Sequence, residues 1–379
     1  MRMSQSFFQN SHFGKDNQAL DLVTLAAKAG FVHKDGSGLY SLLHLGQRAQ
    51  RQMEDRLRHA FEAVGAHELR LALLQDLGLW QATGRVDAYD GELMTVRSRS
   101  GSEYALGATA EELVCAIAKD LFQGQAGDRW VFQIGTKWRD ELRCRAGLVR
   151  AREFTMADAY AFSSSEERLR ELHEQSQEVM LGFFESLDLQ SRRVVADAGQ
   201  MGGSFSEEIQ VKSSLGGQDG AEHWLEVGHS FLLGDTYSRA LGFTDNQGQF
   251  VRMGCQGVGL SRTLMAWLER HRDERGFFGT ERFSAVDTVV VALNQHKAGV
   301  LDRALELGRR LRASGRTVMV DDRDERAGRK LSDSELVGAR QRIVVSDRAL
   351  AADRYEVTCR QSGNTVQAAW GEVLEARAE

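Results

Sequence analysis

Proline is missing altogether from this chain of 379 residues, where ordinary usage of ~5 % would supply about 19. Independent sampling at that base rate would give such an absence with a probability on the order of 10⁻⁸, so proline has been selected against or removed. The rest of the composition is ordinary: 42 % hydrophobic, 27 % charged, with glycine at 38 positions. That profile excludes a disordered, collagen-like or disulfide-dense chain and fits a globular protein of two or three domains. The cysteines Cys115, Cys144, Cys255 and Cys359 form no CxxC pair, which argues against structural zinc and for a reducing compartment. No run of about 18 apolar residues occurs, and the opening MRMSQSFFQN lacks the apolar core of a signal peptide. A cytoplasmic protein with no membrane partner is therefore expected. A net charge of −6 gives no global attraction to nucleic acid, so such a partner must be met by local patches.

What is present is periodicity. Met53, Leu57 and Phe61 predict a helix from Gly46 to about Ala63, and Leu69, Leu71 and Leu73 predict a strand after it. Strands at about 93–99 and 103–107 flank the turn Ser100-Gly101-Ser102 as a hairpin, and a helix follows over Thr109–Leu121. Extended segments at Trp130–Leu142 and Arg150–Phe162 bracket a basic loop. Helices are expected over about Glu166–Leu187 and over Leu260–Arg270. Beyond Gly279, the segments Val286–Leu293, Leu301–Leu311, Thr317–Asp321 and Ile343–Val345 alternate strand and helix. They predict a small α/β domain with a mostly parallel sheet, its boundary near residues 278–285.

Two segments carry chemistry. In KWRDELRCRAGLVRAREF, strand alternation would put Arg139 and Glu141 on one face, as it would Arg150 and Arg152. Paired Arg and Glu beside the Phe154 ring suit a phosphate and a flat base; a solvated sheet face with cross-strand ion pairs would use the same residues. In Gly257-Val258-Gly259-Leu260-Ser261-Arg262, glycines precede a helix whose first turn places Arg262 within reach of a terminal phosphate. A tight turn accounts for the glycines equally well.

In this order the two segments resemble motifs 2 and 3 of the class II aminoacyl-tRNA synthetases, at about residues 130–160 and 253–270. Residues 46–72 then resemble motif 1, the helix and strand of a dimer interface. TKWRDELRCRAGLVRAREFTMADAYAF, with GSGLYSLLHLG, GATAEE, EVGHSFLLG, GCQGVGLSR and VDDRDERAGRKLSDSELVGAR, is similar in order and spacing to the bacterial-type prolyl-tRNA synthetases. The resemblance implies an α+β catalytic domain over residues 1–280, an antiparallel sheet with flanking helices, and a C-terminal α/β anticodon-binding domain over 281–379. It implies a homodimer that uses ATP and Mg²⁺ to activate L-proline and charge tRNA-Pro.

Residue roles follow from the same resemblance. Thr109 and Glu111 would sit at the amino-acid pocket, with a carboxylate there for the substrate's ammonium. Arg139 would bind the amino acid's carboxylate and then the α-phosphate, and Arg262 the γ-phosphate. Glu141, Arg150 and Phe154 would meet ATP, Phe154 by stacking on adenine. Glu226 and His229 would also touch ATP, with Glu226 the candidate magnesium ligand. Met156, Phe231 and Cys255 would form the apolar wall around the pyrrolidine ring, with Asp158 also at the amino-acid site; ordinary packing remains open for His229, Met156 and Phe231. Arg143 and Arg145 would approach the acceptor stem, unless they are solvent decoration. Asp321, Asp322, Arg323, Glu325 and Arg326 follow a strand end, where α/β sheets place binding loops, and would read the anticodon's guanines; without the resemblance they read as an exposed charged loop.

Departures from the family pattern are specific. His44, Ala72, Asp76, Ala108 and Cys144 stand where proline is usual, and Ala110 and Ala157 replace a customary His and Lys. KSSLGGQDGAEH, residues 212–223, stands where relatives carry a large editing insertion, so no hydrolytic editing site in cis is expected. Two other functions compete. A ligase for a carrier protein would have no anticodon to read, and a non-catalytic tRNA-binding regulator would have no reason to keep the ATP set.

Overall fold

Runs of alternating side chains build the central sheet in the computed structural model of this chain, which describes residues 1–7, 20–89, 91–216 and 223–377. Its strands are β1 (His67–Glu68), β2 (Arg129–Trp138), β3 (Glu153–Ser163), β4 (Ser191–Val195), β5 (Phe205–Lys212), β6 (Trp224–Gly234) and β7 (Arg252–Gly259). They lie in the order β1-β2-β3-β7-β6-β5-β4, antiparallel throughout except for β1 beside β2. The longest helices among the described residues of this half of the chain are α1 (His44–Ala63), α2 (Glu111–Phe122), α3 (Glu166–Ser186) and α4 (Leu260–Arg270). Ser165 starts α3 by accepting from the Arg168 N–H. The helix then buries Leu169, Leu172, Met180, Phe183 and Phe184 and packs on β3, β6 and β7. On the opposite face, Val114, Cys115 and Ala118 of α2 share a core with Tyr160, Phe231, Met253 and Cys255.

The strand expected over Leu69–Leu73 does not form as one piece. Only His67–Glu68 pairs with β2; the chain then changes sheets, and Leu74–Asp76 pairs with Glu103–Leu106. The hairpin about Gly101 is present, with Thr95–Arg97 paired to Glu103–Leu106 and Gly101 at φ 93°, a left-handed turn that suits glycine.

The C-terminal sheet comprises β8 (Val286–Ala292), β9 (Val318–Asp321), β10 (Ala339–Val345), β11 (Tyr355–Cys359) and β12 (Thr365–Ala368), in the order β9-β8-β10-β11-β12. Helices α5 (Val300–Ala313) and α6 (Ala327–Leu336) cross over between the first three strands. Val290, Leu307, Leu311, Val320, Ile343 and Val357 form its core. The expectation of a mostly parallel sheet needs correction. β8 is parallel to β9 and β10, but β10-β11 and β11-β12 are antiparallel, because the chain after β10 turns back over short connections instead of making another full crossover.

Contacts divide the chain into two compact units. One comprises Gly36–Tyr40 and Met53–Ala266; the other Met1–Asp35, Ser41–Gln52 and Trp267–Glu379. In the second unit, the Met1 amine donates to the Val318 carbonyl at 2.9 Å, and the Val320 N–H to the Met1 carbonyl at 2.8 Å. Phe31 meets Phe277 edge-on with ring centroids 5.4 Å apart. Among the described residues, no helix is long and apolar enough to cross a membrane.

One glycine is tightly constrained. A Cβ added at Gly46 would lie 2.1 Å from the Phe31 carbonyl oxygen, a backbone atom that no rotamer change can move. Gly46→Ala is expected to destabilise the protein by about 1–3 kcal/mol, read from the denaturant midpoint; an unchanged midpoint would contradict this close approach.

Candidate active site

Strand register sets the floor of the first cavity. Met156 lies opposite Gly259 and Asp158 opposite Gly257 across β3–β7, while His229 lies opposite Gly257 and Phe231 opposite Cys255 across β6–β7. Residues two apart on a strand share a face, so these side chains line one cavity of about 320 Å³. Gly257 and Gly259 contribute backbone alone to its wall.

Glu226 joins them through a bulge. Ile209 pairs with Gly228, but the next residue, Gln210, pairs with Glu226. The additional residue Val227 turns Glu226 and His229, three apart, toward one side. His229 Nδ1 lies 3.1 Å from Glu226 Oε1, and its ring stacks on Phe231 with centroids 4.0 Å apart. Burial alone would push the Glu226 carboxyl up; the His229 hydrogen bond and the Arg262 and Arg139 charges outweigh it and hold the group at about 2. Glu208, Glu226 and His229 bring ligand atoms within 4.8 Å of one another, and two carboxylates suit a hard divalent cation.

Arg139 and Glu141 are not on a strand, contrary to the alternation argument. β2 ends at Trp138; the Arg139 N–H donates to the Arg152 carbonyl at 3.0 Å and the Asp140 N–H to the Glu92 carbonyl at 2.8 Å, and the chain turns. The charges still converge. Arg150 Nε donates to Glu141 at 2.5 Å, and Arg139, Glu141, Arg150 and Phe154 all line the cavity. Arg152 is directed elsewhere, donating to the Ser37 carbonyl at 2.8 Å.

The Arg139 guanidinium stands 5.4 Å from the Phe154 ring centre. It reaches the Ala108 carbonyl at 3.5 Å, and its buried Nε has no hydrogen-bond partner among the described residues. A cation with an unmet buried donor at a cavity wall fits an anionic ligand. Arg262, also on the wall, is held by the Val149 carbonyl at 3.0 Å and by the Glu226 carbonyl and carboxylate at 2.9 and 3.2 Å.

At the other end of the cavity the Thr109 hydroxyl donates to the Glu111 carboxylate. Sequence reasoning missed what holds Glu111. Arg85 lies 3.2 Å from Glu111 and 2.9 Å from Glu112, with the Trp80 and Tyr89 rings 5.1 and 5.2 Å from its Cζ. Burial opposes the Arg85 charge, but Glu111, Tyr89 and Glu112 reverse that effect and keep it a cation. Tyr160 was missed as well. It donates to Asp158 at 2.5 Å and accepts from the Ala110 N–H at 3.1 Å, fixing the loop that carries Thr109. Asp158 lines the cavity, yet Lys137 at 2.7 Å and Gln133 at 2.8 Å also occupy its oxygens. These contacts fix the Asp158 carboxylate at the cavity wall. Burial and the nearby Glu111 push the Cys255 thiol well up, so it offers an uncharged apolar surface.

Other expected site residues lie apart. Arg143 and Arg145 are exposed and outside the cavity lining. The loop after β9 is not the row of exposed base readers expected. Asp321, Asp322 and Arg323 are buried. Arg323 donates to Asp321 at 2.9 and 2.7 Å and to Asp333 at 2.8 Å, while Asp322 accepts from the Ser4 N–H at 2.9 Å and from Arg2 at 2.5 Å. Arg326 is exposed, and Glu325 is partly so and pairs with Arg329 at 3.1 Å. Of the segment 212–223, residues 217–222 lie outside the described residues; Lys212 and Trp224 at its ends pair directly across β5 and β6.

Residues 94–271 match the family model of the tRNA synthetase class II core domain (G, H, P, S and T), and residues 287–378 match that of an anticodon-binding domain. A Rhizorhabdus wittichii protein named proline–tRNA ligase is 28 % identical over 425 residues, covering 97 % of each chain. A Zymomonas mobilis protein of the same name is 29 % identical over 398 residues, covering 89 % of this chain and 90 % of its own. One from Sulfurimonas denitrificans is 28 % identical over 399 residues, covering 91 % and 92 %.

Removing Arg85 would leave two buried carboxylates without their shared cation. Arg85→Met is expected to cost about 3–5 kcal/mol of stability, measured by denaturant unfolding; a loss below about 1 kcal/mol would mean that the carboxylates are satisfied without it.

Proposed function

We propose that this chain, a class II aminoacyl-tRNA synthetase with a catalytic domain and an anticodon-binding domain, activates L-proline with ATP and transfers it to tRNA-Pro. The observation that carries this reading is one cavity joining two chemistries. At one end, Met156, Phe231 and Cys255 offer an apolar wall next to the Glu111 carboxylate; at the other, Arg139 presents an unmet donor beside Arg262 and Phe154. The relatives' printed name supports proline as the amino acid.

In this reading the ring nitrogen of proline, a secondary ammonium, sits by Glu111 and Thr109, and its carboxylate faces Arg139. The carboxylate oxygen attacks the α-phosphorus of ATP in line, an acyl–phosphate bond forms and pyrophosphate leaves. The carboxylate is already deprotonated, so no general base is needed; positioning and charge neutralisation by Arg139 and Arg262 do the work. Phe154 stacks on adenine, with Glu141 and Arg150 at its edge and His229 near the nucleotide. Glu226 and Glu208 would hold the magnesium ion, which neutralises phosphate charge when bound. In the second step a hydroxyl of the terminal adenosine attacks the acyl carbon and AMP leaves, with Arg143 and Arg145 toward the acceptor stem. Glu325 and Arg326 are the outward residues left for anticodon contacts, and the chain acts as a homodimer through the residue 46–72 segment. The short connection over residues 213–223 holds no editing domain, so mischarged alanine stays on the tRNA.

The absence of proline extends the proposal. Each proline lost from a compatible turn gives up roughly 0.4–1 kcal/mol of restriction on the unfolded chain, so a compensating advantage is expected. A proline-free synthetase can be translated when charged tRNA-Pro is scarce, and it escapes incorporation of a four-membered-ring mimic. We place it as a protective second synthetase under those conditions.

ATP–pyrophosphate exchange across the twenty amino acids and ring-size analogues should respond to proline above all others. Arg139→Ala should reduce that exchange below a tenth of the parent's, and a preference for another amino acid would overturn the reading. Arg326→Ala should leave exchange intact and weaken tRNA charging by roughly 1–3 kcal/mol; equal damage to both steps would make the residue structural. In cells fed the four-membered-ring mimic, this enzyme should keep its specific activity while a proline-containing synthetase loses it. Equal losses would refute the protective role.

A further inference from the structure

A second cavity, of about 510 Å³, lies wholly within the unit containing the C-terminal sheet. It opens where the parallel strands begin: Asp287 and Thr288 are at the start of β8, Arg316 stands just ahead of β9, and Gln341 is near the start of β10. The Asp321–Arg326 loop leaves from the other end of β9, so this cavity is a separate place in the fold.

Three guanidiniums line it: Arg316, Arg340 and Arg377. Arg340 pairs with the exposed Glu281 at 3.0 Å, and Arg377 approaches the same carboxylate at 3.9 Å. Arg316 is less well served. Its Nη1 is buried and meets no hydrogen-bond acceptor among the described residues. Burial disfavours its charge, as do Arg377 and Arg340, and Asp287 offsets them only in part; one Asp287 oxygen already accepts from the Thr317 N–H and hydroxyl at 2.7 and 2.8 Å. Three cations thus face two carboxylates, and one cation retains an unmet donor. Concave sites of a few hundred Å³ are the size that encloses a small molecule, and arginine forks match the geometry of phosphate oxygens.

We propose that this cavity binds a small polyphosphate-bearing ligand of nucleotide size, held through its phosphates by Arg316, Arg340 and Arg377. Cys359 lines the same wall and is partly exposed, which makes it a reporter specific to this place. Burial would raise its thiol, but hydrogen bonds from Ser362 and Gln361 and the Arg340 charge bring it below the ordinary range, so it reacts readily with alkylating agents.

The test measures iodoacetamide alkylation of Cys359 in the full chain by peptide mass spectrometry, with inorganic tripolyphosphate as the probe. A bound anion should slow the reaction saturably, by at least about fivefold at concentrations several times its dissociation constant. Arg316→Gln should remove this protection while ATP–pyrophosphate exchange persists. If that variant loses exchange, Arg340→Gln supplies the same comparison. No protection in the parent, or equal protection in a folded variant, overturns the site. Protection by tRNA with none by tripolyphosphate overturns the small-ligand assignment.

Discussion

The antiparallel register of β3, β7 and β6 is the constraint on which the candidate site's cavity depends. Met156 and Asp158, Cys255 and Gly257, and His229 and Phe231 meet on one face only because Gly257 lies opposite both Asp158 and His229. A slip of one residue would turn an entire strand's side chains to the other face, where α3 packs. The bulge at Val227 then departs from strict alternation at one point, and that departure brings Glu226 beside Arg262. Regular pairing supplies the apolar wall, and a single irregularity supplies the carboxylate.

Much of this was legible in the sequence, for identifiable reasons. α4 spans Leu260–Arg270 as the periodicity predicts, and α3 ends within a residue of expectation, because long amphipathic stripes and a serine cap are local signals. The convergence of Arg139, Glu141, Arg150 and Phe154 was also readable, although for the wrong reason: charges two apart mimic a strand in a segment that turns. What stayed hidden depends on partners remote in sequence. Nothing near Arg85 indicates that it neutralises Glu111 and Glu112, and nothing in VDDRDER indicates that Arg323 is spent on Asp321 and Asp333. A run of charges reads as exposed because most such runs are, and only tertiary contacts show otherwise.

Those two arginines follow one design. Each is a buried cation shared by two carboxylates, one beside the candidate site and the other at the turn after β9. Such clusters return little net stability after desolvation, but deleting the shared cation leaves charge stranded. Their benefit is geometric. Glu111 is held at the cavity by Thr109 on one side and Arg85 on the other, and the turn after β9 is held by Arg323 while Ser4 and Arg2 secure Asp322.

The grouping of Met1–Asp35 with Trp267–Glu379 has a consequence for synthesis. A ribosome adds about 5–20 residues per second, so the opening segment emerges on the order of tens of seconds before the strand that accepts its Met1 amine has been made. The other unit, Gly36–Tyr40 with Met53–Ala266, is fully synthesised before the C-terminal sheet begins and can form in the meantime. Phe31 of the opening segment must wait for its edge-on partner Phe277. In a cell, that interval is when a chaperone would have most to hold.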